Sequence, residues 1–227
     1  MTSLALKILA LVAMTIDHIG FHLVWSPVWY PLCRAVGRLA MPLFCFLIAQ
    51  GYRHSKNRNR YLFRLLGFAL SIELCLVFLW LVEGSNYLLE VNIFLTLSAG
   101  LGCLMLLKST NSTYRWGGFL LLAALSFAPF DYGLYGILLI ILFGLTDRFH
   151  YYLFGLFALN ILFIELPIYL PVDLSPHFFQ MQWLSLFALI PIYFYNGKPG
   201  PNGYKSFFYL YYPLHLLVIL GIKALLL

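Results

Sequence analysis

Charge is what this sequence has least of. Asp, Glu, Lys and Arg make up 10% of 227 residues, and only 8 of them are acidic. So little charge cannot clothe a soluble domain of this size, and no polar tail or low-complexity segment supplies the deficit. Alternating strand-like runs are missing too, which excludes a transmembrane barrel. Cysteine is scarce. Cys33, Cys45, Cys75 and Cys103 lie singly inside apolar segments, with no metal or redox spacing, and are expected to pack as small hydrophobes. No internal repeat is present. The formal net charge of +6 reads as membrane topology, and no nucleic-acid partner is expected.

What remains is apolar: 63% of the chain is hydrophobic, in long runs from end to end. The reading is an all-α, polytopic transmembrane helical bundle in one integral membrane domain, 1–227. About nine spans are expected, each set against the ~20 residues a helix needs to cross a bilayer. They run roughly over 4–25, 28–51, 61–83, 87–107, 114–130, 132–147, 150–171, 178–196 and 205–227. The fifth and sixth are short and read either as crossings or as one hairpin bent at Pro129-Phe130-Asp131. Residues 4–25 have the apolar character of a signal peptide. They hold Asp17 and His18 and lack a small-residue cleavage site, so a retained first helix is expected.

Residues 53–64 set the direction. This short loop carries Arg53, Lys56, Arg58, Arg60 and Arg64, and such loops stay cytoplasmic. Of the 14 Lys and Arg residues, Arg34 and Arg38 then fall within the second span and Lys223 near an outer end. The rest fall at inner ends, Lys7, Lys108, Arg115, Arg148, Lys198 and Lys205 among them. Glu83, Glu90, Asp131 and Asp173 fall outside. The N-terminus is therefore expected in the cytoplasm.

Chemistry in such a chain must come from polar groups inside the spans and from short loops. Asp17 and His18 sit about two-thirds along the first span, at a rise of ~1.5 Å per residue. Arg34 and Arg38, spaced i, i+4 on one helix face, reach a similar depth, so Asp17 is expected to pair with one of them. Glu73, Glu165 and His215 are further titratable groups in the third, seventh and ninth spans. One account is a structural ion pair locking two helices. Another is a wet cavity, since each ionisable group inside a membrane is a functional candidate. His18 and His22 share a face but lack an evident third ligand, so no metal is expected. Trp25, Trp29, Tyr30, Tyr151 and Tyr152 read as interfacial belts. The turn-rich loop from Tyr195 to Lys205 is expected in the cytoplasm. With the 53–64 loop it would suit an anionic ligand or anionic lipid headgroups.

The motifs resemble the TraX family. Lys7-Ile8-Leu9-Ala10 with Met14-Thr15-Ile16-Asp17-His18-Ile19-Gly20 is similar to its opening. The likeness continues in Arg34-Ala35-Val36-Gly37-Arg38, in Gln50-Gly51-Tyr52-Arg53-His54 and in Tyr61-Leu62-Phe63-Arg64. It extends through Asp131-Tyr132 and Tyr195-Asn196-Gly197 to Tyr211-Tyr212-Pro213-Leu214-His215. One departure is that Glu73 is followed by Leu74-Cys75, where the family often has a nearby proline. The resemblance implies a multi-pass protein of the bacterial inner membrane. Its name-giving member acetylates the N-terminus of conjugative pilin, and the wider kinship is with transmembrane acyltransferases that take acetyl groups from cytoplasmic acetyl-CoA. The acceptor here would be an exported amine or hydroxyl, on a pilin-like protein or a glycan.

Acyl transfer needs a base and an oxyanion stabiliser. His18 is the expected base and His215 the second candidate, with the hydroxyls of Tyr211 and Tyr212 offering His215 a structural role. Asp17 points about 100° away from its neighbour His18 and so is assigned to Arg34 or Arg38, the remaining arginine facing the oxyanion. Arg53, Lys56, Arg58, Arg60, Lys198 and Lys205 would hold the nucleotide end of acetyl-CoA. Two other readings use the same residues: a proton-coupled small-molecule transporter with Asp17, Glu73, Glu165 and His215 as its titrating groups, and a non-catalytic scaffold. The charge distribution makes one prediction directly. A reporter fused after Asn57 will read cytoplasmic and one after Ser175 periplasmic; a periplasmic signal at Asn57 would invert the topology.

Overall fold

The computed structural model describes residues 1–83, 92–126, 132–164, 181–200 and 205–226, and all regular structure among them is helical. The elements are α1 (Ser3–Leu23), α2 (Trp29–Gly37), α3 (Ala40–His54), α4 (Arg58–Glu83), α5 (Ile93–Leu107), α6 (Ser112–Leu125), α7 (Gly133–Leu145) and α8 (Phe149–Ile164). A 3-10 turn, Trp183–Ala188, runs on into α9 (Leu189–Tyr193), and α10 is Lys205–Leu226. By length and composition, α1, the stretch Trp29–His54 and Phe207–Leu226 are able to cross a membrane, while α5, α7, α8 and the Trp183–Tyr193 stretch are shorter apolar helices. The Pro129-Phe130-Asp131 bend lies outside the described residues, as do Glu165, Glu90 and Asp173.

The second expected span is two helices rather than one. Pro42 explains the break. It has no N–H to give the carbonyl of Arg38, and its ring would press on that carbonyl in a continuous helix. The chain tightens instead: the Arg38 N–H donates to Ala35 O and that of Leu39 to Val36 O, each at 3.2 Å.

The chain packs as two compact units, Met1–Leu47 with Phe149–Leu227, and Ile48–Arg148, so α3 contributes to both. In the first unit α1 and α10 run parallel. Lys7 lies over the Phe208 ring, Thr15 meets Tyr211 and His18 meets His215, each contact further along both helices than the last. The start of α1 is held by the loop after α9. Ser3 and Leu4 N–H groups donate to the carbonyls of Lys198 and Pro199 at 2.8 and 3.2 Å. Gly200 has φ +83°, and a Cβ there would lie 2.8 Å from Leu4 Cβ, so both conformation and space require glycine. The α8 helix is joined to the 3-10 turn by fully buried Asn160 and Ser185, the amide donating to the hydroxyl at 3.1 Å. Tyr152 is buried against Phe46 and Phe149 rather than interfacial. Trp25, Trp29, Tyr30 and Tyr151 are exposed.

In the second unit α5 is central, packed against α4, α6 and α7. Its small residues admit close neighbours. A Cβ on Gly100 would lie 2.6 Å from Ile140 Cδ1, and one on Gly144 of α7 would collide with Leu104. Cys103, Ile137 and Ile141 fill the contact as ordinary hydrophobes, and Cys45 is likewise fully buried in α3. Asn92 begins α5. Its Oδ1 accepts from the Phe94 N–H at 2.9 Å. Its Nδ2 donates to Ala69 O at 2.9 Å and to Glu73 Oε1 at 2.8 Å, and its N–H also donates to Glu73 Oε1. Glu73 thus ties α4 to the start of α5.

This arrangement predicts unequal caps. Asn111 caps α6 in the same way but is exposed and makes one such bond, from Thr113 N–H. Asn111→Ala will cost about 1 kcal/mol, an ordinary cap loss. Asn92→Ala also leaves buried partners unmet, and will cost about 2–3 kcal/mol. Thermal unfolding of the two purified variants measures the difference; equal losses would reject the tie between α4 and α5.

Candidate functional site

Asp17 and His18 are adjacent on α1, so they leave the helix about 100° apart. One meets α2 and the other α10. Asp17 Oδ2 accepts from Arg34 Nη1 at 2.7 Å, and Oδ1 lies 3.5 Å from Arg38 Nη2. Both arginines therefore share the one carboxylate. Arg38 is 1% exposed, and its Nε donates to the Arg34 carbonyl at 3.2 Å. Gly37 lies between them in sequence and makes the pairing sterically available, because a Cβ there would overlap the Asp17 carboxylate. Gly20 does the same one turn along α1, against Cys33 of α2. Two glycines thus bring α1 and α2 together at the depth where the charges lie. The triad carries two positive charges and one negative.

His18 faces the other way. Its Nδ1 is 2.8 Å from His215 Nε2, with ring planes within 6° of parallel. The opposite nitrogen of His215, Nδ1, is 3.0 Å from the Tyr211 carbonyl. A carbonyl only accepts, so His215 Nδ1 carries the proton. In a neutral imidazole Nε2 is then the acceptor, and His18 Nδ1 must donate to it. The consequence is a defined tautomer, with the lone pair of His18 at Nε2. His215 has both nitrogens committed; His18 keeps a basic one.

The support for this pair differs from the sequence expectation. It is the Tyr211 carbonyl, one helical turn back, that holds His215, while the Tyr211 hydroxyl goes elsewhere. Thr15 Oγ donates to Leu11 O at 2.8 Å, which spends its proton, so the Tyr211 hydroxyl donates to Thr15 Oγ at 2.7 Å. Tyr211 also stacks on His215, at 5.3 Å between centroids. Neither Thr15 nor the Tyr211 carbonyl stood out in the sequence. The i, i+4 spacing of Tyr211 and His215 was the available signal. His22 lies one turn further along α1, 6.4 Å from His18 between centroids, and among the described residues no three His, Cys, Asp or Glu side chains gather as a metal site.

The chain matches the family profile described as TraX protein over residues 3–223. It belongs to the TraX family. Among the relatives of this TraX chain is the probable fimbrial assembly protein FimC, serogroup H1, of Dichelobacter nodosus, 29% identical over 238 residues, which cover 96% of this chain and 94% of that one. An uncharacterised protein of Rickettsia prowazekii is 30% identical over 146 residues, 60% of this chain and 52% of its own. No solved structure matches.

The basic residues expected to hold a nucleotide fall into different situations in this TraX chain. Lys56, Arg60 and Lys198 are exposed. Lys205 opens α10, and its side chain lies outside the described set. Arg58 is exposed but rests on the Tyr52 ring, 4.4 Å from its centroid. Arg53 is engaged at the end of α7. Its Nη2 donates to the carbonyls of Phe143, at 2.5 Å, and Thr146, and pairs with Asp147 Oδ1 at 2.8 Å. A cation there suits the negative end of a helix.

The triad yields a steric prediction. Gly37→Ala will displace the Asp17 carboxylate and so reproduce Asp17→Asn, each costing about 3–5 kcal/mol as a buried pair loses a partner. Cellular abundance and thermal stability of the two variants measure this. A stable Gly37→Ala beside an unstable Asp17→Asn would show that the glycine does not set the ion pair.

Proposed function

We propose that this TraX-family protein is a membrane-embedded acetyltransferase of the inner membrane, moving an acetyl group from cytoplasmic acetyl-CoA to an amine or hydroxyl of an exported acceptor. The observation that carries the reading is the His18–His215 pair, which leaves one basic nitrogen, His18 Nε2, on a helix apolar enough to cross a membrane. His18 takes the proton from the attacking amine or hydroxyl as the acetyl carbon–sulfur bond of the donor breaks, and returns it to the departing coenzyme A thiolate; His215 holds the tautomer and orientation of His18. The Asp17–Arg34–Arg38 triad keeps a net positive charge between α1 and α2, on a different face of α1 from His18, so it contributes to the potential around the site rather than as a direct donor to the oxyanion. The parallel run of α1 and α10 supports a topology in which the first and last spans cross in the same sense. The name of the Dichelobacter relative points to fimbrial assembly, and by similarity a pilin-like acceptor is the first to test.

The assay is transfer of labelled acetyl from acetyl-CoA by the purified protein in lipid nanodiscs, with donor binding measured in parallel. His18→Ala will lose at least about 100-fold in rate, the lower range of a general base, with donor binding kept. His215→Ala will lose less. His215→Gln will recover part of that loss, because its amide oxygen accepts from His18 Nδ1 where Nε2 did. A well-folded His18→Ala that transfers acetyl at the native rate would remove histidine base catalysis from this protein. A native protein that binds no acetyl-CoA would remove the acetyltransferase reading.

A further inference from the structure

The second unit brings a cation from outside the 53–64 loop to two members of that loop. Arg53 and Lys108 approach the same atom: Lys108 Nζ donates to Gly144 O at 3.1 Å, and Arg53 Nη2 lies 3.5 Å from it. Lys108 Nζ is 5.9 Å from the centre of the Tyr52 ring, Arg58 Cζ is 4.4 Å from it, and Arg58 Nε donates to the Tyr52 carbonyl at 3.4 Å. Two positive charges thus flank one buried ring and a third, Arg53, joins them through the shared Gly144 carbonyl, the three being drawn from the start of α4, the end of α5 and the end of α3. Against them stand one carboxylate, Asp147, whose side chain is 81% exposed, and the C-terminal end of α7, worth about half a negative charge. Arg53 Nη1 is buried with no hydrogen-bond partner. An arginine nitrogen without an acceptor beside two further cations is a costly arrangement unless an anion completes it.

We infer that Arg53, Arg58 and Lys108 form a phosphate-binding site around Tyr52, contained within the Ile48–Arg148 unit. The ligand class follows from charge and shape. A phosphate group carries about −1 charge as a diester and about −1.5 to −2 as a monoester at neutral pH, so either form offsets most or all of the surplus left after Asp147 and the helix end. Guanidinium and ammonium groups together suit a tetrahedral oxyanion better than a single planar carboxylate. Arg53 serves twice: Nη2 closes the end of α7, and Nη1 faces the ligand. Lys108 is the member the sequence did not single out, because it lies far along the chain from the 53–64 cluster and only packing of α5 brings it to Tyr52. The phosphate has two available sources, the nucleotide end of a coenzyme A thioester or an anionic lipid headgroup. The first source rests on the acetyltransferase reading; the site itself does not.

The test uses the full chain in nanodiscs of phosphatidylcholine, titrated calorimetrically with coenzyme A and with inorganic pyrophosphate, and separately in nanodiscs containing phosphatidylglycerol, with bound lipid counted by native mass spectrometry. Lys108→Gln and Arg58→Gln change exposed side chains and keep the α7 end closed by Arg53. Arg115→Gln, exposed on α6, is the control for net charge. The expected result is that each of the two variants weakens coenzyme A and pyrophosphate binding about tenfold, with the control within twofold. If coenzyme A does not bind the native protein but both variants lose phosphatidylglycerol, the site stands with lipid as its ligand, and the acetyltransferase reading fails separately. Affinities for all three probes that are the same in native, Lys108→Gln and Arg58→Gln proteins, or that fall equally in the control, would overturn the inference.

Discussion

The carboxylate of Asp17, shared between Arg34 and Arg38, is the constraint on which the arrangement of the first unit depends. A buried charge must be paired closely or it is strongly destabilising. Close pairing here requires α1 and α2 to touch, and side chains of ordinary size would hold them apart. Gly20 and Gly37 remove that obstacle at the two contact points. The same contact fixes the rotation of α1 about its axis. Once Asp17 faces α2, its neighbour His18 must face about 100° away, and that is where α10 lies. Ion pair and histidine pair are therefore two results of one helix rotation.

The histidine pair depends in turn on the register between α1 and α10. Their parallel run is aligned by three contacts, Lys7 with Phe208, Thr15 with Tyr211 and His18 with His215. A shift of one residue would turn His215 away from His18 and separate Thr15 from Tyr211. The bonded chain from Leu11 O through Thr15 to Tyr211 accordingly does more than satisfy two hydroxyls. It locks the register that makes the His18 tautomer definite. The loop after α9, bonded to the first residues of the chain, holds the same end of α1.

The second unit is held by a different device. Its helix ends are tied by side chains from neighbouring helices: Arg53 and Lys108 at the end of α7, and Glu73 with Asn92 at the start of α5. Helix ends leave carbonyl and N–H groups without intrahelical partners, and in an apolar setting those groups need partners from within the protein. Arg53 and Glu73, which as sequence features read as ligand-binding or titrating residues, each carry such a structural load. Any binding role for Arg53 is confined to its second nitrogen.

The sequence by itself determined the all-α class, the family and most of the described helical segments, because apolar runs are local properties; the division of the second segment into α2 and α3 was not among them. It also singled out Asp17, His18, Arg34, Arg38 and His215, because an ionisable residue in an apolar run is conspicuous wherever the run packs. Helix periodicity alone separated the directions of Asp17 and His18. Tertiary structure decided which groups meet. That Asp17 takes both arginines, that His18 and His215 are one hydrogen-bonded pair, and that Lys108 joins Arg53 and Arg58 at Tyr52 all depend on the register and approach of helices far apart in the chain. Pro42 shows the boundary between the two kinds of knowledge. Its missing N–H weakens the helix at Arg38, but α10 runs unbroken through Pro213, so packing decides whether the chain breaks, and only packing against α1 leaves Arg38 buried on Asp17, since a side chain's partner is set by the helix it faces and not by its neighbours in sequence.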